Sequence, residues 1–214
     1  MNQFLDQNAQ TQIKDLFQQM DKPITIVLFT KEEPCLTCVE TKQLLEEVSA
    51  LSDKITLVTK DLYEDIEEAT KYDITLTPSF VFLDENQNYT GVKFNGIPAG
   101  HEINSLIGGI LEVSVMKFDF SKETIDQIKK IDKPVNIKVF VTLSCPHCPG
   151  AVQNAHRLAM INKNIVGEMI EAQTFGELSQ KYNVSGVPKI VINEKYELLG
   201  NHPIEAFLAE INKI

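Results

Sequence analysis

The sequence predicts an α/β fold built from two tandem units, each a central mixed β-sheet flanked by helices. Repetition is the first sign. Cys35-Leu36-Thr37-Cys38 returns as Cys145-Pro146-His147-Cys148, 110 residues later. Lys71–Pro78 (KYDITLTP) returns as Lys181–Pro188 (KYNVSGVP) at the same offset, and Asp21-Lys22-Pro23 returns as Asp132-Lys133-Pro134 at an offset of 111. Landmarks kept in one order at near-constant spacing mark a duplicated unit of about 100 residues. The second sign is alternation: short β-branched runs take turns with helical patterns, which argues for α/β units. The boundary falls in Ser114–Phe120, giving units 1–116 and 117–214. No Gly/Ser-rich linker separates them, so the units are expected to pack together.

In the first unit, Phe4, Ile13, Leu16, Phe17 and Met20 form a helical stripe that ends before Pro23. Ile24–Thr30 reads as a strand and Cys35 to Ala50 as a helix with apolar Val39, Leu44, Leu45 and Val48. A strand over Ile55–Lys60 and a short helix over Glu64–Tyr72 follow. Ser79–Asp84 and Thr90–Asn95 read as strands around the Glu85–Asn88 turn, and Gly100–Val113 as a closing helix. The second unit repeats the series: a helix over Lys122–Ile131, a strand over Val135–Thr142, and a helix from the second CxxC to Asn162. After a strand over Ile165–Ala172, Thr174 and Glu177 have the spacing of a capping box for a helix ending near Tyr182. Strands over Lys189–Ile192 and Tyr196–Leu199 and a helix over Pro203–Asn212 complete it.

The chemistry concentrates in Lys138–Gly150 (KVFVTLSCPHCPG), where an apolar run stops at a CxxC and a helical pattern begins. A cysteine at a helix start sees unpaired amides and the positive end of the helix dipole, and both favour thiolate. Pro146 suits the first helical position. A second sulfur three residues on can close a disulfide and reopen it. Structural zinc needs four ligands at short spacing, whereas the two CxxC motifs are 110 residues apart. A purely structural CxxC bridge closes almost no loop and stabilises little.

A net charge of -10 argues against nucleic acid as a partner. The opening MNQFLDQNAQ has neither a basic start nor an apolar run, so no signal peptide is expected, and no stretch is long enough to span a membrane. The expected address is cytoplasmic, where thiol pools stay reduced and paired cysteines are catalytic more often than structural. Asn88-Tyr89-Thr90 and Asn183-Val184-Ser185 match a glycosylation pattern that has no meaning there.

The order β-α-β-α-β-β-α, with CxxC after the first strand, is that of the thioredoxin fold. Pro78 and Pro188 each follow the second cysteine of their unit by 40 residues and open a strand. A cis bond there would hold the backbone of Thr77 or Val187 open to a partner chain.

At these residues the chain resembles the protein disulfide oxidoreductases of archaea and bacteria, the glutaredoxin-like family with two thioredoxin-fold units in one chain. The resemblance runs end to end and rests on FNGIPAGHEI (Phe94–Ile103), VFVTLSCPHCPGAVQNAH (Val139–His156) and YNVSGVPKIVI (Tyr182–Ile192). It implies thiol–disulfide exchange on protein substrates, two separate redox pairs (Cys35/Cys38 and Cys145/Cys148), and cis-prolines at Pro78 and Pro188. The N-terminal half of the alkyl hydroperoxide reductase flavoprotein has a similar paired architecture, so a thioredoxin-reductase-like flavoprotein and a peroxiredoxin are implied partners. No cofactor beyond the redox-active disulfides, and no metal, is expected.

The departures from thioredoxins are local. Pro34 and Ser144 stand where thioredoxins carry tryptophan, and Phe29 and Val139 stand where they carry a buried acid. The group that takes the proton from Cys38 or Cys148 is therefore open; Glu32 and Glu33 are near in sequence but read as surface residues. Between the second pair of cysteines, His147 stands where tyrosine is usual, and with Pro146 it is expected to tune the Cys145 thiolate. His101 and His202 read as polar residues at the starts of closing helices, and His156 lies about three turns from Cys145, too far to act.

Three functions follow. The leading one is a dithiol–disulfide oxidoreductase in which exposed Cys145 attacks and buried Cys148 resolves, with Val187 and Pro188 (and Thr77 and Pro78 at the first site) holding the substrate. The second is a dedicated electron carrier between a flavin reductase and a peroxiredoxin. The third is a metal or iron–sulfur module using one CxxC per chain across a dimer.

Overall fold

The computed structural model describes residues 3–32 and 34–214. The first unit contains α1 (Gln7–Phe17), β1 (Ile24–Thr30), α2 (Cys38–Ser49), β2 (Ile55–Asp61), α3 (Ile66–Lys71), β3 (Ser79–Leu83), β4 (Tyr89–Asn95), a 3-10 turn (Gly100–Glu102) and α4 (Ile103–Val115). The second contains α5 (Lys122–Lys129), β5 (Val135–Val141), α6 (Cys148–Ile161), β6 (Ile165–Glu171), α7 (Gly176–Lys181), β7 (Lys189–Ile192), β8 (Tyr196–Leu199) and α8 (Ile204–Ile211). Asp6 caps α1 by accepting from the Ala9 amide, and Ser121 caps α5 by accepting from Thr124.

The units do not keep separate sheets. One eight-stranded sheet runs β2-β1-β3-β4-β6-β5-β7-β8, and the units join where β4 pairs in parallel with β6, Val92 opposite Gly167 through Asn95 opposite Ile170. The strands' two-residue period sorts their side chains between the faces. Ile24, Ile26 and Leu28 of β1 and Val135, Ile137, Val139 and Val141 of β5 enter one continuous core with buried residues of α1, α2, α4, α5, α6 and α8. On the other face, Val27 and Phe29 pack with Ala69 of α3, while Phe140 packs in a separate cluster with Ile170, Tyr182 and Val191 beneath α7.

The seam is tied polar as well as apolar. Lys93 and Glu168, both buried, approach within 3.9 Å across it, and Glu168 also accepts from Asn95 and Asn136. Arg157 of α6 pairs with Glu112 of α4. Gly167 lets α6 lie close on the sheet, since a Cβ there would stand 2.6 Å from the Ala155 carbonyl oxygen.

Several expected boundaries move. The α2 and α6 helices begin at the second cysteine of each motif, so Pro146 precedes the helix and Pro149 stands at its start. The Thr174–Glu177 capping box does not form. The buried Glu171 carboxylate takes the Thr174 amide and hydroxyl first, and α7 starts at Gly176 without a side-chain cap. Phe4 and Leu16 of the first stripe are exposed, whereas Ile13, Phe17 and Met20 are buried.

Candidate active site

Both CxxC pairs are closed disulfides, with Cα–Cα separations of 5.6 Å for Cys35–Cys38 and 5.5 Å for Cys145–Cys148. Because β1, β4, β6 and β5 all run the same way, the two disulfides stand on the same edge of the sheet. Four strand spacings separate β1 from β5, which sets the strands about 19 Å apart. Direct exchange between the two pairs within one chain is out of reach.

In each pair the first cysteine is the more accessible. Cys38 is buried and Cys35 half-buried; Cys148 is 0% exposed and Cys145 only 9%. The expectation of an exposed Cys145 therefore needs correction, and the loop that leads into it is covered by the first unit. The 3-10 turn Gly100–Glu102 seats against the loop before Cys145, where the His101 amide donates to the Leu143 carbonyl at 2.9 Å. Gly100 has φ +58°, and a Cβ there would collide with that same carbonyl oxygen, so glycine permits the seating. Each α2 or α6 start still faces its first cysteine with the unpaired amides of a first helical turn.

Beside each disulfide lies a proline loop. Phe29 pairs with Ser79 and Phe140 with Lys189, so Pro78 and Pro188 flank the strand ends from which the cysteine loops spring. The Thr77–Pro78 and Val187–Pro188 bonds are cis. Among the described residues, the amides and carbonyls of Thr77 and Val187 make no hydrogen bond. Each is a free donor–acceptor pair at the mouth of a redox site.

His147 is exposed, caps α6 by position and makes no side-chain cap bond; Pro146 is exposed beside it. At the first site Glu32 is exposed, and Glu33 lies outside the described residues. His101 is exposed, and the His202 ring lies 2.9 Å from the Leu199 carbonyl. His156 is buried against Phe94, with burial pushing its imidazole down to about 3, so it is a neutral core residue.

One residue escaped the sequence reading. Glu102 is fully buried in the turn that walls the second site and packs against α6. Its Oε2 accepts from Ser105 at 2.5 Å, and its Oε1 has no partner among the described residues. Burial raises the carboxyl to about 7, against the opposing Ser105 hydrogen bond. Burial thus holds a carboxyl near neutrality in the turn that seats against the loop before Cys145, whereas apolar Phe29 and Val139 stand where thioredoxins carry a buried acid. In sequence, Glu102 looks like an ordinary surface acid at a helix start; no local signal marks it.

No group of three or more metal-ligating side chains occurs among the described residues, and no helix there is long and apolar enough to cross a membrane.

A thioredoxin-domain family model matches residues 135–213. The chain is 31% identical over 207 residues to the alkyl hydroperoxide reductase protein AhpF of Staphylococcus aureus, covering 97% of this chain and 38% of that protein. It thus spans about two fifths of the length of such curated relatives. A structure of AhpF from Enterococcus faecalis superposes with a TM-score of 0.93 at 30% identity, covering 98% of this chain and 100% of that one. A protein disulfide oxidoreductase from Aeropyrum pernix superposes with a TM-score of 0.90 at 26% identity, covering 99% and 93%. With its paired units, one shared sheet and two CxxC disulfides, the chain belongs to the tandem thioredoxin-fold family that includes these proteins.

Proposed function

We propose that the chain is a protein-disulfide oxidoreductase whose two units, 1–116 and 117–214, each carry one exchange site. The observation that carries this reading is the placement, twice over, of a CxxC disulfide beside a loop with unpaired backbone groups. A partner strand laid along Thr77 or Val187 satisfies those groups and brings its own disulfide to the first cysteine.

At the second site, the reduced Cys145 thiolate attacks one sulfur of the partner's disulfide. That S–S bond breaks, a mixed disulfide forms, and the other partner sulfur leaves as thiolate. Glu102 takes the Cys148 proton, and the Cys148 thiolate then attacks Cys145 Sγ, releasing the second partner thiol. Two electrons pass to the partner, and the Cys145–Cys148 disulfide closes. Run backwards, the same steps introduce a disulfide. The first-turn amides of α6 favour the Cys145 thiolate, and His147 adds to them when it carries a charge. Cys35 and Cys38 play the same parts at the first site.

Recharging needs a two-electron reductant. Similarity to the alkyl hydroperoxide reductase protein AhpF supports a thioredoxin-reductase-like flavoprotein in that role. The same similarity favours a narrower second reading, an electron carrier between such a flavoprotein and a peroxiredoxin. The cytoplasm, where thiol pools are kept reduced, is the compartment that suits either.

The test is reduction of insulin disulfides driven by dithiothreitol. The intact protein and each single-site variant (Cys35→Ser with Cys38→Ser, or Cys145→Ser with Cys148→Ser) should turn over well above background. The protein lacking all four sulfurs should not. Background rates for the intact protein would remove the oxidoreductase reading. Efficient exchange only with a flavoprotein or peroxiredoxin partner would favour the carrier.

A further inference from the structure

Of the positions at which the two proline loops differ, one changes most in side-chain size. Leu76 stands two residues before Pro78, whereas the corresponding residue before Pro188 is Gly186. Leu76 forms one wall of a groove of about 630 Å³ whose opposite wall comes from the second unit: Phe175, Leu178 and Lys181 at α7. The seam brings them together, because Gly96 at the end of β4 lies against Phe175 and its amide donates to the Pro78 carbonyl. The groove thus begins at the first site's substrate loop and is closed by the other unit. The second site's loop carries no counterpart of the Leu76 side chain. Its Gly186 faces only Leu199, which is largely exposed.

We infer that this groove is a side-chain pocket for the partner polypeptide that exchanges with Cys35–Cys38, selecting a large apolar residue near the partner's cysteine. The inference rests on the exchange reading given above. Its occupant follows from continuity. A strand pairing with the free backbone groups of Thr77 runs past Leu76, and alternate side chains of that strand point to one face. Leu76, Phe175 and Leu178 are half-buried apolar groups facing a space large enough for an aromatic ring. The rim of the same disulfide is apolar too, with Leu36 72% and Val39 62% exposed. Between the second pair of cysteines stand Pro146 and His147 instead. The two sites are thereby built for different partners: the first reads an apolar side chain, and the second does not.

The test uses six-residue, alanine-based peptides carrying one cysteine, supplied as symmetric disulfides, with phenylalanine walked through the positions flanking the cysteine. In the protein keeping only Cys35–Cys38, one or two placements should raise kcat/KM about tenfold over the all-alanine peptide. Phe175→Ala and Leu76→Gly should each bring that ratio close to one, as should moving the assay to the protein keeping only Cys145–Cys148. Phe175 also packs beside the cluster under α7, so if Phe175→Ala fails to fold, Leu76→Gly, which copies the other unit's residue, decides alone. A ratio near one at every placement, or a preference that survives the substitutions, overturns the pocket. First-site activity on glutathione disulfide but on no peptide leaves the exchange chemistry standing and removes the pocket. Inactivity on glutathione disulfide as well removes the first site itself, and the pocket with it.

Discussion

Replacing Glu102 with glutamine isolates the proton chemistry of the second site's wall. Burial raises this carboxyl from 4.5 to about 7. Between those pH values the folded protein holds a proton that the unfolded chain releases. Stability linked to Glu102 is therefore fully present below about pH 4.5 and is lost as pH rises through 7. At about 1.4 kcal/mol per unit, the loss is on the order of 3 kcal/mol. Glutamine keeps an acceptor for the Ser105 hydroxyl and cannot ionise, so Glu102→Gln should lack this decline. Urea unfolding of the oxidised proteins from pH 5 to 8 measures it directly. The variant should gain relative to the parent as pH rises, by most of that amount at pH 8. The same substitution should remove an inflection near pH 7 from the second-site exchange rate. Parallel stability curves would refute the burial argument, and a retained inflection would refute the role of Glu102 as proton acceptor.

Cys148→Ser should trap mixed disulfides between Cys145 and its substrates, visible by non-reducing mass spectrometry, whereas Cys145→Ser should abolish second-site turnover; equal alkylation rates for the two reduced thiols would contradict that order. His147→Tyr should make the second site more reducing in a glutathione titration, by about 30 mV for each unit the Cys145 thiol rises below the working pH; an unmoved potential would exclude His147 from tuning. Lys93→Ala leaves Glu168 uncompensated in the seam and should cost on the order of 3 kcal/mol by urea unfolding; a loss below about 1 kcal/mol would show the seam to be held by its apolar contacts.

Much of the fold was legible because the duplication left local marks. The CxxC motifs, the KYDITLTP and KYNVSGVP segments and the β-branched runs of β1 and β5 each declare themselves within a few residues. What stayed hidden depends on contacts between distant segments. The pairing of β4 with β6 fuses two sheets into one, yet a strand buried on both sides reads alike whoever its neighbour is. The loop before Cys145 is covered by Gly100–Glu102, more than forty residues upstream, and the burial of Glu102 in that turn likewise depends on segments distant in sequence. The capping box failed for a similar reason. Glu171 competes for Thr174 only because β6 ends there with its carboxylate buried.

The central claim is that Cys35–Cys38 and Cys145–Cys148 are two independent exchange sites on one sheet edge, carried by strands about 19 Å apart. A redox titration of each pair alone, with the other replaced by serine, tests it most directly. Each should titrate reversibly as a two-electron couple. The first pair, with leucine and threonine between its sulfurs in place of proline and histidine, should be the more reducing. Failure of either isolated pair to titrate would contradict the account of two sites, and coincident potentials would contradict the division of labour between them.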